Sequence, residues 1–201
     1  MNKTDTAPIE ASPAAAGARD RRLTLEEYGR LPYDKDAGKL ELVRGQLVRE
    51  RGPAPLHGRV ASRVAYYLER YHEERRIRGA IMVNAAFVLA EDPATVRLPD
   101  IAYVAPEHVP AVRYSERWWR VAPDLAIEVT SPSNRWTGIQ EKVRDYLEAG
   151  TRLVWVIDPP TRTVSVYGRE STASRLEGDA ALTGEAVLPG LEISLRDLFD
   201  L

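Results

Sequence analysis

The chain has no cysteine, which excludes disulfides, thiolate zinc sites and cysteine nucleophiles and fits a reducing compartment. Its three histidines, His57, His72 and His108, lack metal-ligand spacing, which argues against zinc. There is no Gly-rich phosphate loop, and no Ser/His/Asp order stands out. No run approaches the ~18 apolar residues of a membrane span, and no charged start with an apolar run resembles a signal peptide. The expectation is a soluble, cytoplasmic protein without a membrane partner. Excess positive charge is missing too. A net charge of −2 and a pI near 6.0 disfavour a dedicated nucleic-acid coat, for which a pI above about 9 is usual. They leave room for an enzyme with a local basic patch around an acidic site.

Lysine is scarce. Lys3, Lys35, Lys39 and Lys142 stand against 24 arginines. Lys3 is in a tail-like segment, and Lys35 and Lys39 are in a Gly/Asp-rich turn region. Lys142 alone falls in a helical pattern. Arginine is always protonated and is a poor base, whereas burial can lower a lysine pKa into a useful range. Chance placement is the bland alternative, and nearby acids weigh against it.

At 201 residues the chain has the length of one domain. Residues 1–21 are rich in Ala, Pro, Ser and Thr and read as a disordered tail, with a single domain over 22–201. Thr24 to Tyr28 reads as a short helix, with Glu27 completing a capping box on Thr24. Arg44-Gly45 reads as a two-residue hairpin between strands at 40–43 and 46–48. Val60, Val64, Tyr67, Leu68 and Tyr71 recur at helical spacing, giving the longest helix over His57–Arg76. Strands follow at about 80–89, 100–105 and 124–130, then a helix over 138–149 stopped by Gly150. Leu153 to Ile157 suits a strand buried on both faces, Thr163 to Tyr167 an outer strand, and the C-terminus a last short strand and packing plug. The order implies an α/β or α+β fold, a central mixed sheet covered by two main helices.

The chemistry-bearing residues are Asp100, Glu128 and Lys142. Asp100 opens one apolar strand and Glu128 lies inside another, on the face shared with the small residues Ala126 and Thr130. A buried lone carboxylate costs several kcal/mol or becomes protonated, so it wants a cation. Two acids and a lysine from neighbouring strands and a helix are the parts of a metal-dependent phosphodiesterase. The bland readings are a residue at a strand start after Pro99 for Asp100 and an arginine ion pair for Glu128. Lys142 and Tyr146 share a helical face. Glu41 is a candidate third acid. His57, at the start of the long helix, is either a polar helix-start residue or a functional one. Arg113, Tyr114, Arg117, Trp118, Trp119 and Arg120 form an aromatic and basic cluster suited to base stacking and phosphate, or equally to a hydrophobic lid or a homodimer contact. The nucleic-acid contacts expected are His57, Arg113, Arg117, Trp118 and Arg135. Ser131 to Asn134 has turn chemistry.

Taken together, Tyr28 in TLEEY, Leu40-Glu41-Leu42-Val43 with Gly45, the Pro55/His57 helix start, Pro99-Asp100, PDLAIEVTSPSN (123–134), EKVRDYLEAG (141–150) and VWVIDP (154–159) resemble the Uma-two family of restriction-endonuclease-like proteins. That group belongs to the PD-(D/E)XK nuclease superfamily, and the resemblance runs in order over about residues 23–199. It implies a restriction-endonuclease-like fold acting on DNA, with Mg²⁺ (Mn²⁺ as a substitute) held by Asp100, Glu128 and a main-chain carbonyl after Glu128. It also implies that Lys142 replaces the strand lysine whose place Thr130 occupies, and that Glu41 is a further acidic residue of the site. Many relatives carry an Asp four residues before the helix lysine, where this chain has Gly138. The expected function is Mg²⁺-dependent endonucleolytic hydrolysis of DNA phosphodiesters. The alternative is a catalytically inactive nucleic-acid- or protein-binding module on the same fold. On sequence alone, Lys142→Arg should keep near-wild-type melting and lose cleavage.

Overall fold

The computed structural model describes residues 21–32, 38–50, 54–109, 117–131, 135–168 and 173–200. The expected tail lies outside these, apart from Arg21. Among the described residues, no helix is long and apolar enough to cross a membrane.

Helix α1 (Leu25–Gly29) carries the expected capping box: the Thr24 hydroxyl accepts from the Glu27 N–H, and Glu27 accepts from the Thr24 N–H. Strands β1 (Leu40–Val43) and β2 (Gln46–Arg49) form the expected hairpin. Arg44 and Gly45 both have positive φ, 49° and 80°, the conformation that matches strand twist in a two-residue turn. Helix α2 (Pro55–Arg75) is the long helix, with proline in its first turn.

The strand expected over 80–89 is two strands, β3 (Ala80–Val83) and β4 (Phe87–Glu91). Asn84 adopts a left-handed conformation, φ 53°, which asparagine tolerates better than most residues. The chain turns there and moves from one sheet to another. Strand β5 (Ala94–Arg97), which the sequence pattern did not reveal, pairs with β4 and β1. The four-stranded sheet has the order β2-β1-β5-β4.

The larger sheet adds β6 (Ile101–Val104), β7 (Leu125–Val129), β8 (Leu153–Asp158), β9 (Thr163–Gly168) and β10 (Ser174–Leu176), in the order β10-β9-β8-β7-β6-β3. It is mixed: β7 and β8 are parallel, joined through helix α3 (Trp136–Ala149), and the other pairs are antiparallel. Strand β9 is covered on both edges, so β10 takes the outer position expected for β9. Strands β11 (Ala181–Gly184) and β12 (Leu188–Ser194) form a separate ribbon, followed by helix α4 (Leu195–Phe199).

Strand alternation sorts the core onto two faces. Leu125, Ile127, Val129 and Trp155 pack under α2, together with Leu188, Leu198 and Phe199 of the C-terminal ribbon and plug. Ala126, Val154 and Val156 pack instead on Ile139, Val143 and Tyr146 of α3. Glu128 therefore points to the α3 side, while its neighbours in sequence face α2.

Candidate active site

Asp100 and Glu128 meet because β6 and β7 are antiparallel neighbours. Ile101 pairs with Ile127, so the next residues outward, Asp100 and Glu128, lie opposite each other. The Val129 N–H donates to Asp100 Oδ2 at 2.8 Å, which fixes the carboxylate at the strand end. Both acids are buried. His57, in the first turn of α2, brings Nε2 to 3.0 Å from the same oxygen. Lys39, just before β1, donates to Asp100 Oδ1 and, at 3.2 Å, to the Leu98 carbonyl.

Glu128 is held from α3. Lys142 Nζ lies 3.1 Å from Oε2, and the Tyr146 hydroxyl donates to Oε1 at 2.8 Å. The i,i+4 spacing of the pair lets one helical face grip both oxygens of one carboxylate. Lys142 also lies 3.3 Å from Glu41 and 2.6 Å from Glu50. Glu41 in turn accepts from Arg97 at 2.7 Å and from the Leu98 N–H at 2.9 Å. Arg97 continues to Asp145 of α3 through Nε (2.9 Å) and Nη2 (2.6 Å), and Arg44 reaches the other oxygen of Asp145 at 2.7 Å. A chain of charges thus ties the four-stranded sheet to the helix that carries Lys142.

The electrostatics follow from this crowding. Burial disfavours charge on Asp100, but the His57 hydrogen bond and the Lys39 ammonium outweigh it and hold the carboxyl well below the usual range. Glu128 goes the other way. Burial raises its pKa, Asp100 and Glu41 add repulsion, and the partial share of Lys142 does not compensate, so it is pushed up to about 7. Burial also works against the Lys142 charge, yet Glu128, Glu41 and Glu50 together hold it above the usual lysine range. This reverses the lowered value that would suit a lysine base. Three carboxylates share one ammonium, so Lys142 is a standing cation that orients and neutralises.

A pH test of this balance follows. Below about 4.5 Glu128 is protonated in folded and unfolded chains alike. Between there and about 7 the folded protein alone retains the proton, so rising pH costs stability, and above that the loss is complete. Urea unfolding across this range without added metal should show the stability of wild type relative to Glu128→Gln falling as pH rises. A flat or rising difference would refute the assignment.

Other sequence candidates distribute unevenly. Arg113 and most of the 131–134 turn lie outside the described residues. Arg117 donates to the Gly29 and Leu31 carbonyls at the end of α1. Trp118 stacks on Tyr28 at 5.9 Å, and Trp119 is buried against Phe87. These contacts join the 117–119 segment to α1 and to β4. Arg135 is exposed just before α3. A Cβ at Gly138 would meet nothing within 4 Å, so packing does not exclude a side chain there. Among the described residues, no group of three or more acidic or histidine side chains forms a ready cation cage.

Sequence reasoning missed Lys39, Glu50, Arg97 and Asp145. Lysine scarcity pointed to Lys39 as much as to Lys142, but its turn setting hid it. Arg97 is a charged residue in a strand whose four members are all buried, and Asp145 interrupts the apolar stripe of α3. A buried charge in an apolar pattern was the available signal.

The family model Uma2, described as "Putative restriction endonuclease", matches residues 25–196. A crystal structure of "a putative nuclease belonging to DUF820 from Anabaena variabilis ATCC 29413" is similar to this chain, with a TM-score of 0.77 and 24% identity, covering 88% of this chain and 97% of that one. At that identity the likeness shows the fold, the restriction-endonuclease-like arrangement expected above. No curated protein matches.

Proposed function

This chain belongs to the Uma2 family, and from that premise we propose that it is a Mg²⁺-dependent endonuclease that hydrolyses phosphodiester bonds in DNA. The observation that carries the reading is the convergence of Asp100 and Glu128 from neighbouring strands with Lys142 3.1 Å from Glu128. The donor chemistry supports a hard divalent ion: two buried carboxylates offer oxygen ligands, and Mg²⁺ is commonly held by one or two carboxylates plus water and substrate phosphate. The raised Glu128 pKa marks negative charge that the protein's own cations leave undercompensated. When bound, Mg²⁺ would polarise water and neutralise phosphoryl oxygens.

The remaining work falls to the side chains. Asp100 and Glu128 would hold the ion, with the Val129 N–H and His57 fixing the first and Tyr146 the second. Lys142 would keep Glu128 in place and place a fixed positive charge beside the attacked phosphate, where charge develops as the leaving oxygen departs. Glu41 would act through Lys142, which it faces at 3.3 Å.

Nicking of supercoiled plasmid in the presence of Mg²⁺ or Mn²⁺ tests the reading. Wild type should cleave and EDTA should stop it, while Asp100→Asn and Glu128→Gln should each lower the rate by about a hundredfold or more. The non-catalytic binding module is favoured by one feature, that each carboxylate already holds a lysine. Absence of cleavage on plasmid, single-stranded DNA and RNA would select it.

A further inference from the structure

Resting on the reading of Asp100 as a cation ligand, we propose that Lys39 and a divalent cation compete for the same oxygen of Asp100, so that Lys39 sets how tightly the site binds metal. The two oxygens of Asp100 are not equivalent. Oδ2 is engaged by the Val129 N–H at 2.8 Å and by His57 at 3.0 Å. Oδ1 is the oxygen left for a cation, and the Lys39 ammonium sits on it. With its other oxygen engaged, Asp100 would have to take a dication on the oxygen that carries the Lys39 ammonium, and two like charges that close repel strongly where solvent is excluded.

The residue type fits the role. Lysine presents a compact point charge on a flexible stem, whereas the arginine fork is planar and prefers two-point contact. This chain uses arginine almost everywhere, yet both described lysines lie in this site, Lys39 on Asp100 and Lys142 on Glu128. Their settings differ. The Lys142 side chain is 4% exposed and held by three carboxylates, while that of Lys39 is 19% exposed, with one carboxylate and one carbonyl. Lys39 is thus the less tightly held of the two and the more open to solvent. A cation that must first displace it binds with an affinity reduced by the fraction of molecules in which Oδ1 is occupied.

Calorimetric titration of Mn²⁺ into the full chain, without nucleic acid, tests the competition. Lys39→Met should bind Mn²⁺ about tenfold tighter than wild type, the scale of losing one charged hydrogen-bonded rival. Lys39→Arg keeps a rival cation and should not bind Mn²⁺ tighter than wild type, and tightening equal to that of Lys39→Met would overturn the proposal. Arg44→Gln removes a cation that Asp145 holds and should change affinity by about twofold at most. The gain in melting temperature on adding Mn²⁺ should also be larger for Lys39→Met than for wild type, a readout independent of cleavage. Unchanged or weaker binding by Lys39→Met would overturn the proposal, as would equal tightening by Arg44→Gln, which indicates a general charge effect. If Asp100→Asn loses Mn²⁺ binding while Lys39→Met matches wild type, the competition fails and the nuclease reading stands. If Asp100→Asn binds as wild type does, both fail.

Discussion

Lys142→Met should lower folding stability by about 3–5 kcal/mol and reduce any cleavage by about a hundredfold or more. The side chain it shortens is 4% exposed, and the ammonium it removes faces Glu41, Glu50 and Glu128. Breaking a buried ion pair on one side strands the other, and here three acids lose a cation, Glu41 keeping Arg97 and Glu128 keeping the neutral Tyr146 hydroxyl. Melting should fall by roughly 6–20 °C for a chain of this length. Lys142→Arg should also melt below wild type, though by less. The expectation of near-wild-type melting for that variant rested on the retained positive charge and helix propensity, but a planar head forced into a buried three-way contact overpacks the site. Combining Lys142→Met with Glu128→Gln should restore part of the loss, because a neutral amide no longer needs the ammonium. Additive losses in that double-mutant cycle would show that the two residues do not interact.

Arg97→Met is expected to cost a similar amount, about 3–5 kcal/mol. The guanidinium is buried and joins Glu41 of β1 to Asp145 of α3. Without it both acids stay buried, Glu41 leaning on Lys142 and Asp145 on the half-exposed Arg44. Chemical denaturation should show a lower midpoint with an unchanged slope, the sign of lost stability without a change in the surface exposed. A loss below about 1 kcal/mol would place Arg97 among ordinary surface ion pairs. Any cleavage should fall beyond what the unfolded fraction explains, since Arg97 ties Glu41 to the helix from which Lys142 reaches Glu128.

How far the sequence could be read depended on how local each signal is. The capping box at Thr24, the Arg44-Gly45 turn, the apolar stripe of α2 and the Gly150 stop are set by a few neighbouring residues, and they form as expected. The β3–β4 junction was read through because Ala85 and Ala86 continue the apolar pattern while Asn84 turns the backbone. Strand β5 was missed because its residues are too few to show a period, and of its two pairings only the hairpin with β4 is local while that with β1 is long-range. The Trp118-Trp119 cluster was ambiguous because aromatics beside arginines suit a core lid and a stacking platform alike, and only packing on Tyr28 and Phe87 shows what they touch.

The sequence by itself determined the mixed sheet under two main helices, the family resemblance, and the candidacy of Asp100, Glu128 and Lys142. Alternation within one strand puts Glu128 on a face with small residues, and helical spacing puts Lys142 and Tyr146 on one side. The tertiary structure decided which charges meet. Lys39 is 61 residues from Asp100, and Arg97 is 56 from Glu41 and 48 from Asp145, separations across which sequence carries no periodic signal. The electrostatic sign at Lys142 was likewise a tertiary outcome. Burial alone would have lowered its pKa, and three glutamates, from β1, from β7 and from just after β2, raise it. Local interactions wrote the elements into the sequence, while the balance between desolvation and Coulomb attraction exists only where the chain has brought those charges together.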